Sequence, residues 1–268
     1  MVLALAAGLA PVARGPQAQS IVSTGGDLLQ VALVPGRLSA DGVRVAGLRL
    51  RLAPGWKTYW RHPGETGIPP RLEWSGSTNL VKADLLWPRP IVFESFGATT
   101  LGYGGEVLLP VRLTPRDPSQ TIGLRLDLTL GVCREICILE EREISVAWPP
   151  ELIEGVGAVA DGLATVPGSG RDLGLQEVRC RLRPDGGALA FAAELRFSHP
   201  LGDAKVIVEG PPDTWAHNVQ SRSDGPRLLV DARLERLTPE SWVTREDIRL
   251  TVLTTGRAAD VRGCLAAD

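Results

Sequence analysis

The sequence has little of several residue types on which metal and cofactor sites depend. In 268 residues it contains one methionine, the initiator, with three histidines and four cysteines. A single methionine disfavours a copper(I) site built on thioethers. The histidines, His62, His199 and His217, lie far apart in sequence, whereas zinc ligands usually come in closely spaced pairs. We therefore expect no metal site.

Strong charge of either sign and long apolar runs are also missing. The formal net charge is −2, so the chain offers no basic face for nucleic acid, and electrostatics indicates no partner. After the first residues, no stretch reaches the ~18 uncharged apolar residues that a membrane-spanning helix needs. We expect a mature chain without a membrane span, and its 44% apolar and 22% charged residues are those of an ordinary soluble protein.

Residues 1–18 have the apolar core and the small-residue end of a secretory signal peptide, with cleavage expected after Ala18. The usual positive charges at the start of such a peptide are missing, and a buried strand or helix is the alternative. Export places the mature chain where disulfides form and persist. We therefore expect an exported, soluble protein.

The rest of the chain reads as short strands separated by turn residues, and 30 glycines and 21 prolines favour such a β-rich chain. Residues 21–148 predict an antiparallel sandwich of immunoglobulin type. Residues 149–173 have apolar positions near helical spacing and predict a short helix and linker. Residues 174–268 return to strands around a DGG turn. The predicted fold is all-β, an immunoglobulin-like sandwich followed by a second, smaller β domain.

Four cysteines allow three pairings, of which 133–137 with 180–264 is the simplest. On the chain-entropy model, a bond between Cys180 and Cys264 stabilises by about 4.6 kcal/mol, and one between Cys133 and Cys137 by only about 2 kcal/mol. This difference favours Cys180 and Cys264 as a structural disulfide. A second redox pair or two free thiols are the alternatives.

Cys133 and Cys137 have alternating apolar residues on both sides, which predicts two strands joined by a tight turn. In a straight strand, residues four apart lie about 13 Å from each other, but a disulfide needs Cα atoms within roughly 7 Å. Either a hairpin with residues 134–136 at its tip or a single helical turn satisfies this limit. A bond at such a tip is open to thiol exchange. From geometry alone, a redox pair and a static clasp remain equally plausible readings.

Two aromatic segments stand out. The first, residues 55–74, contains Trp56, Tyr59 and Trp60, which we interpret as core residues whose polar ends are hydrogen-bonded. The second is a glycine-rich stretch with Phe93, Phe96 and Tyr103. Exposed aromatic residues there would shield a reactive group or contact a partner, and packing is the alternative.

Four motifs in order, GWKTYWRHPGETGIPP, LLWPRP, FGATTLGYGGEVLLPV and LGVCREICILEE, resemble the amino-terminal domain of the thiol:disulfide interchange protein DsbD and its ScsB-type relatives. The resemblance covers roughly residues 30–148. It implies an immunoglobulin-like sandwich in the periplasm that needs no cofactor, because two sulfurs carry the two electrons. Roles in cytochrome c biogenesis and copper tolerance belong to the same family.

Carried onto this chain, the resemblance makes Cys133 and Cys137 the redox pair, with Cys137 forming the mixed disulfides. Phe93, Phe96 and Tyr103 become candidates for a cap loop over the pair. The implied electron donor is a thioredoxin-like or membrane-embedded reductase, and the acceptors are oxidised periplasmic proteins. A non-enzymatic binding module with structural disulfides is the alternative function, and a copper-handling protein is a third hypothesis.

Overall fold

The computed structural model describes residues 28–64, 66–95, 98–238 and 241–267. The predicted signal peptide, residues 1–18, lies outside these ranges. Most described residues belong to β-strands, which form two successive sandwiches.

Two antiparallel sheets form the first sandwich. Its strands are β1 (Leu29–Leu38), β2 (Arg44–Leu52), β3 (Lys57–Gly64), β4 (Arg71–Glu73), β5 (Leu80–Leu85), β6 (Ile91–Ser95), β7 (Ala98–Gly104), β8 (Glu106–Pro115), β9 (Ile122–Cys133) and β10 (Cys137–Trp148). One sheet has the order β1-β2-β8-β5. The other has the order β10-β9-β3-β7-β6, and β4 pairs with β9 beside β3.

Buried apolar residues at every second position of the strands form the core of this sandwich. Side chains of a strand point to opposite faces in turn, and every even-numbered residue of β9 from Ile122 to Val132 is buried. Trp60 and Trp148 are the largest side chains that the two sheets enclose. The period-two pattern in the sequence thus defines the inner face of β9.

A short helical segment connects the sandwiches. It contains α1 (Val156–Ala164), followed by β11 (Gly168–Ser169) and a 3₁₀ helix (Gly170–Leu173). The helix begins after Gly155, which has a left-handed backbone conformation, so Leu152 and Ile153 precede it. Buried Arg44 donates hydrogen bonds to the carbonyl oxygens of Pro149, Pro150 and Leu152. This guanidinium fixes the connection to the first sandwich.

The second sandwich also has two sheets. Its further strands are β12 (Leu175–Asp185), β13 (Ala188–Phe197), β14 (Lys205–Glu209), β15 (Thr214–Asp224), β16 (Arg227–Arg236), β17 (Arg249–Leu253), β18 (Ala258–Arg262) and β19 (Leu265–Ala266). One sheet has the order β11-β18-β17-β14, and the other has the order β15-β16-β13-β12-β19. A separate apolar cluster, with Phe191 and Leu195 near its centre, fills the space between them.

A buried ion cluster joins the sandwiches. Arg61 of β3 donates two hydrogen bonds to the Glu209 carboxylate, at 2.9 and 2.8 Å, and one to the Thr251 hydroxyl at 3.0 Å. Asp260 lies 3.4 Å from the same guanidinium. Removing one partner from such a pair strongly destabilises a protein, because the other charge is left without its counterion. Ile207 adds an apolar contact by packing into the core of the first sandwich.

The all-β fold class is confirmed, with an immunoglobulin-like sandwich first and a second β-sandwich after it. We propose that the two sandwiches correspond to the predicted domains of residues 21–148 and 174–268, and that the predicted linker of residues 149–173 joins them and contributes β11 to the second sandwich.

Candidate functional site

The hairpin of β9 and β10 places Cys133 and Cys137 opposite each other. The two residues are paired in register, their Cα atoms lie 4.1 Å apart, and a disulfide joins them. Arg134, Glu135 and Ile136 form the tip, where the Arg134 N–H donates to the Ile136 carbonyl oxygen at 3.0 Å. Of the two geometries that the sequence allowed, the chain adopts the hairpin.

The two sulfurs differ in their access to solvent. Cys133 is 5% exposed, whereas Cys137 belongs to the exposed residues. Thiol exchange requires that the attacking thiolate reach one sulfur of the disulfide. Of the two cysteines, Cys137 is therefore the more accessible to an external thiol.

Tyr59 lies directly beside the disulfide. Its hydroxyl oxygen is 3.1 Å from the Cys133 sulfur and 3.5 Å from the Cys137 sulfur. Burial raises the pKa of the Tyr59 phenol above its usual value. The phenol therefore keeps its proton at neutral pH, and its O–H can donate to either sulfur.

Two glycines make room for the Tyr59 ring. A Cβ atom at Gly131 would lie 3.1 Å from the ring, and one at Gly67 would lie only 2.4 Å from it. Gly67 also has a φ of 119°, which other residues rarely adopt. Side chains at these positions would displace the ring, so the glycines hold Tyr59 against the disulfide.

The disulfide lies on the outer face of its sheet. Val132 and Thr58 are register partners, as are Cys133 and Lys57. Because Val132 belongs to the core and side chains alternate, Cys133, Lys57 and Tyr59 share the opposite face. Leu139, which is paired with Gly131 and is 54% exposed, extends this face on β10.

Phe93, a cap candidate, is half-buried on β6. Its ring lies over Gly102, where a Cβ atom would be 3.2 Å away, and the Lys57 ammonium lies 4.2 Å from the ring centroid. Lys57 in turn is the register partner of Cys133. Phe93 therefore contacts Lys57, and Lys57 lies next to Cys133 on the neighbouring strand. Phe96, the second candidate, lies outside the described residues.

Tyr103 requires a correction. It is 5% exposed, belongs to the core of the first sandwich, and donates its hydroxyl proton to the Pro88 carbonyl oxygen at 2.8 Å. It is the register partner of Thr58 rather than of Tyr59, so it points inward. This placement leaves Tyr103 no surface with which to cover the disulfide.

Arg134 at the hairpin tip packs beside the indole ring of Trp56, with 5.7 Å between the guanidinium carbon and the ring centroid. Its ion pair with Glu135 is long, at 4.0 Å, and both side chains are exposed. Such exposed pairs contribute little to stability. Nearby cations favour a cysteine thiolate. Lys57, the register partner of Cys133, and Arg134, the residue after Cys133, are two such cations.

Cys180 and Cys264 form the second disulfide, across a sequence separation of 84 residues. Cys180 is 1% exposed and belongs to the core of the second sandwich. Its carbonyl oxygen accepts a hydrogen bond from the Ala267 N–H at 2.9 Å. The disulfide and this hydrogen bond thus hold β19, the last strand, against β12.

Sequence reasoning missed the position of Tyr59 and of Lys57 beside the disulfide. It treated the aromatic residues of 55–74 as one core group, although Tyr59 and Trp60 are adjacent in a strand and so face opposite ways. That alternation was the signal in the sequence that distinguished them.

His62 lies on β3, where its Nδ1 accepts a hydrogen bond from the Gly64 N–H at 3.3 Å and its ring stacks on Trp215.

Within the described ranges, no three histidine, cysteine or acidic side chains come together as a metal site would require. None of the helices described there is long and apolar enough to cross a membrane.

Comparison with known proteins agrees with the motifs. Residues 30–147 match the family described as thiol:disulfide interchange protein DsbD, N-terminal. None of the curated proteins compared with the chain matches it. The N-terminal periplasmic domain of ScsB from Proteus mirabilis has a similar structure, with a TM-score of 0.72 and 23% sequence identity. The likeness covers 91% of this chain and 95% of that one, so the shared fold includes both sandwiches.

Proposed function

We propose that this protein is a thiol:disulfide oxidoreductase that relays electrons through Cys133 and Cys137, because residues 30–147 match the family described as thiol:disulfide interchange protein DsbD, N-terminal. One observation carries the proposal: the exposed Cys137 sulfur is bonded to a buried Cys133 sulfur that a tyrosine hydroxyl contacts at 3.1 Å. A static clasp does not need a hydrogen-bond donor beside its sulfurs.

Reduction begins when a donor thiolate attacks the Cys137 sulfur. The bond between the two cysteines breaks, and Cys133 leaves as a thiolate that accepts a hydrogen bond from the Tyr59 hydroxyl. A second donor thiolate then attacks the donor sulfur of the mixed disulfide and releases Cys137 as a thiolate. The donor is oxidised to a disulfide, and the two electrons reside on Cys133 and Cys137.

Transfer to a client protein runs through the same atoms. The Cys137 thiolate attacks a client disulfide, and one client sulfur leaves as a thiolate. The Cys133 thiolate then attacks Cys137 in the mixed disulfide, which restores the bond between the two cysteines and releases the second client thiolate. Lys57 and Arg134 favour the thiolate forms through their positive charge.

For partners, we propose a thioredoxin-like or membrane-embedded reductase as donor and oxidised periplasmic proteins as acceptors. The proposed location is the periplasm. Support comes from the DsbD family match and from the periplasmic origin of the ScsB domain with the same fold.

The test is covalent trapping in cells. A Cys133→Ala variant keeps the exposed nucleophile but lacks the resolving thiol, so it should accumulate mixed disulfides with its partners. The matched Cys137→Ala variant keeps only the buried sulfur and should accumulate far fewer. Gel electrophoresis with and without reductant, followed by mass spectrometry, identifies the adducts.

Equal or absent trapping by the two variants would contradict the relay. A reduction potential below about −300 mV for the 133–137 pair would also identify it as a structural bond.

A further inference from the structure

Strand β10 begins at Cys137 and is the last strand of its sheet. Across the described ranges it pairs with β9 and with no other strand, so its second edge is unpaired there. Cys137, Leu139 and Glu141 are all exposed, and Leu139 is 54% exposed. Unpaired edges that solvent reaches are where proteins accept an additional strand from another chain.

The β9–β10 ladder shows which backbone groups point to this edge. Antiparallel strands alternate hydrogen-bonded pairs, with Cα atoms about 5.5 Å apart, and non-hydrogen-bonded pairs, about 4.5 Å apart. Cys133 and Cys137, at 4.1 Å, form a non-hydrogen-bonded pair, and Gly131 and Leu139 are the next of this kind. The Gly131 carbonyl oxygen agrees, because it accepts the Thr58 hydroxyl of β3 at 2.8 Å. The N–H and C=O groups of Cys137 and Leu139 therefore point away from β9.

Arg142 limits the length of the open stretch. Its guanidinium donates to the Glu141 carbonyl oxygen at 2.7 Å, and this oxygen also points away from β9, since Glu141 lies two residues beyond Leu139. Charged side chains are one means by which proteins protect a sheet edge. The open stretch therefore consists of Cys137 and Leu139, and it includes the exposed redox cysteine itself.

An added strand would bring a second cysteine to Cys137 at a suitable distance. Because Cys137 directs its backbone groups outward, the residue opposite it on an added antiparallel strand forms a hydrogen-bonded pair with it. The Cα atoms of such a pair are about 5.5 Å apart, and disulfides most often have Cα separations of about 5.5–6 Å. Residues directly opposite each other also place their side chains on the same face of the sheet.

The same arrangement suits the step that releases the client. Cys133, Cys137 and the client cysteine would lie on one face of three adjacent strands, which are about 4.8 Å apart. The Cys133 thiolate then attacks the Cys137 sulfur from the side opposite the client sulfur. The bond between Cys133 and Cys137 forms, the bond to the client breaks, and the client sulfur leaves as a thiolate.

We propose that the open edge of β10 selects clients whose reacting cysteine lies in an extended segment, which pairs with Cys137 and Leu139 as an added strand. The proposal rests on the proposed function, in which Cys137 attacks the client disulfide. The Leu139 side chain lies opposite the residue two positions from the client cysteine, so an apolar residue is favoured at that position.

Two activated disulfides test strand pairing separately from thiol reactivity. One probe is an acetylated pentapeptide amide of valine, threonine, cysteine, threonine and valine, in that order. The other is acetylcysteine N-methylamide, and in both the cysteine is bonded to thionitrobenzoate. The full-length Cys133→Ala variant attacks each probe through Cys137 and releases thionitrobenzoate, the better leaving group, whose absorbance gives the rate. The pentapeptide should react about tenfold faster, because its backbone hydrogen bonds stabilise the transition state.

Matched variants in the Cys133→Ala background locate the pairing. Leu139→Pro removes an outward N–H, which an edge strand tolerates, and the two probes should then react at similar rates. Leu139→Ala keeps the N–H and should retain most of the difference in rate. Ser145→Pro lies on the same edge beyond the Arg142 cap and should retain all of it. Melting temperatures confirm that the variants are folded.

Hydrogen exchange measures the pairing without any proline. In the mixed disulfide with the pentapeptide, the Leu139 amide should exchange about tenfold more slowly than in the mixed disulfide with the acetylcysteine derivative. The Ile138 amide is the internal control, because its N–H points to β9 and should exchange equally in the two adducts.

Equal rates for the two probes, an unchanged difference in Leu139→Pro, or the same loss in Leu139→Ala as in Leu139→Pro would each overturn the proposal. Equal exchange of the Leu139 amide in the two adducts would do so as well. All four results leave the relay in place. Failure of Cys137 to react with either probe would instead contradict the proposed function, and this proposal with it.

Discussion

The two disulfides of this protein are the same chemical bond in different surroundings. Cys133 and Cys137 are four residues apart at an exposed hairpin tip, beside a sandwich whose core already contains Trp60 and Trp148. Cys180 is buried in the second core and is bonded across 84 residues to Cys264, close to the end of the chain. The first bond closes a short loop that the β9–β10 ladder already holds, whereas the second closes most of a sandwich.

Under the proposed function, loop length and exposure together distinguish the structural bond from the reactive one. The long loop makes the Cys180–Cys264 bond important to the fold, and its cysteines are buried and partly exposed, so an external thiolate reaches them less readily than the exposed Cys137. A short loop makes a bond dispensable to the fold, and an exposed sulfur opens it to chemistry. Each prediction below changes one side of this contrast.

The largest effect should come from removing the long bond. A Cys180→Ala/Cys264→Ala variant should lose about 4.6 kcal/mol of unfolding free energy on the chain-entropy model, and a Cys133→Ala/Cys137→Ala variant about 2 kcal/mol. Urea denaturation followed by circular dichroism measures both. Equal losses would remove the distinction between a structural and a reactive disulfide.

The next effect concerns the contact that makes the two sandwiches one unit. Arg61→Ala removes the guanidinium that bonds both oxygens of the largely buried Glu209 carboxylate and leaves it only Thr251 and the more distant Arg249. The change should cost about 3 kcal/mol of unfolding free energy. The control, Arg51→Ala, breaks the exposed pair with Glu106 and should cost about 1 kcal/mol or less. Similar losses in the two variants would mean that the ion cluster does not join the sandwiches.

Tyr59→Phe should affect only the short disulfide. Loss of the hydrogen bond to the departing Cys133 thiolate should slow reduction of the 133–137 pair by at least about tenfold. It should also raise the pKa of the Cys133 thiol in the reduced protein, which a purely structural effect would not do. Thiol-labelling rates across pH measure both quantities. An unchanged rate would place the Tyr59 hydroxyl outside the reaction.

The smallest effect is a pH dependence at the junction of the sandwiches. Burial lowers the pKa of His62 below its usual 6.5, and the Glu209 carboxylate only partly opposes the shift. Below pH 6.5 the unfolded chain therefore binds more protons at His62 than the folded chain does. The free energy of unfolding should be highest above that pH and should decrease as the pH falls below it.

Urea denaturation from pH 5 to 8 checks this dependence. His62→Gln should flatten the stability profile below pH 6.5, whereas His199→Asn, at an exposed histidine, should leave the native profile in place. A native-like profile in His62→Gln would assign the pH dependence to other groups.

Local patterns in the sequence were enough to predict the strands and the tight turn between Cys133 and Cys137, but they left open whether that turn was a hairpin or a helical turn. The even-numbered apolar residues from Ile122 to Leu130 defined the inner face of β9, and the cysteines fell at the ends of two alternating runs. The packing of Tyr103 was harder to predict, because glycines on both sides of it are typical of a loop and here belong to a strand. Its register with Thr58 decides its direction, and register depends on the whole sheet.

The surroundings of the disulfide depended on contacts between distant residues. Tyr59 approaches Cys133 from 74 residues away, and Arg61 finds Glu209 across 148 residues. A single sequence contains no record of such pairs, because each side chain alone fits several environments.

Strand β3 places the Tyr59 hydroxyl against the disulfide and, two residues later, the Arg61 guanidinium against Glu209 of the second sandwich. Cutting the chain after the first sandwich would remove Glu209 and Asp260, the carboxylates that pair with Arg61. Arg61 would then be an unpaired cation two residues from Tyr59, on the same face of β3. A reduction potential measured on such a fragment would therefore describe a different electrostatic environment from that of the whole protein.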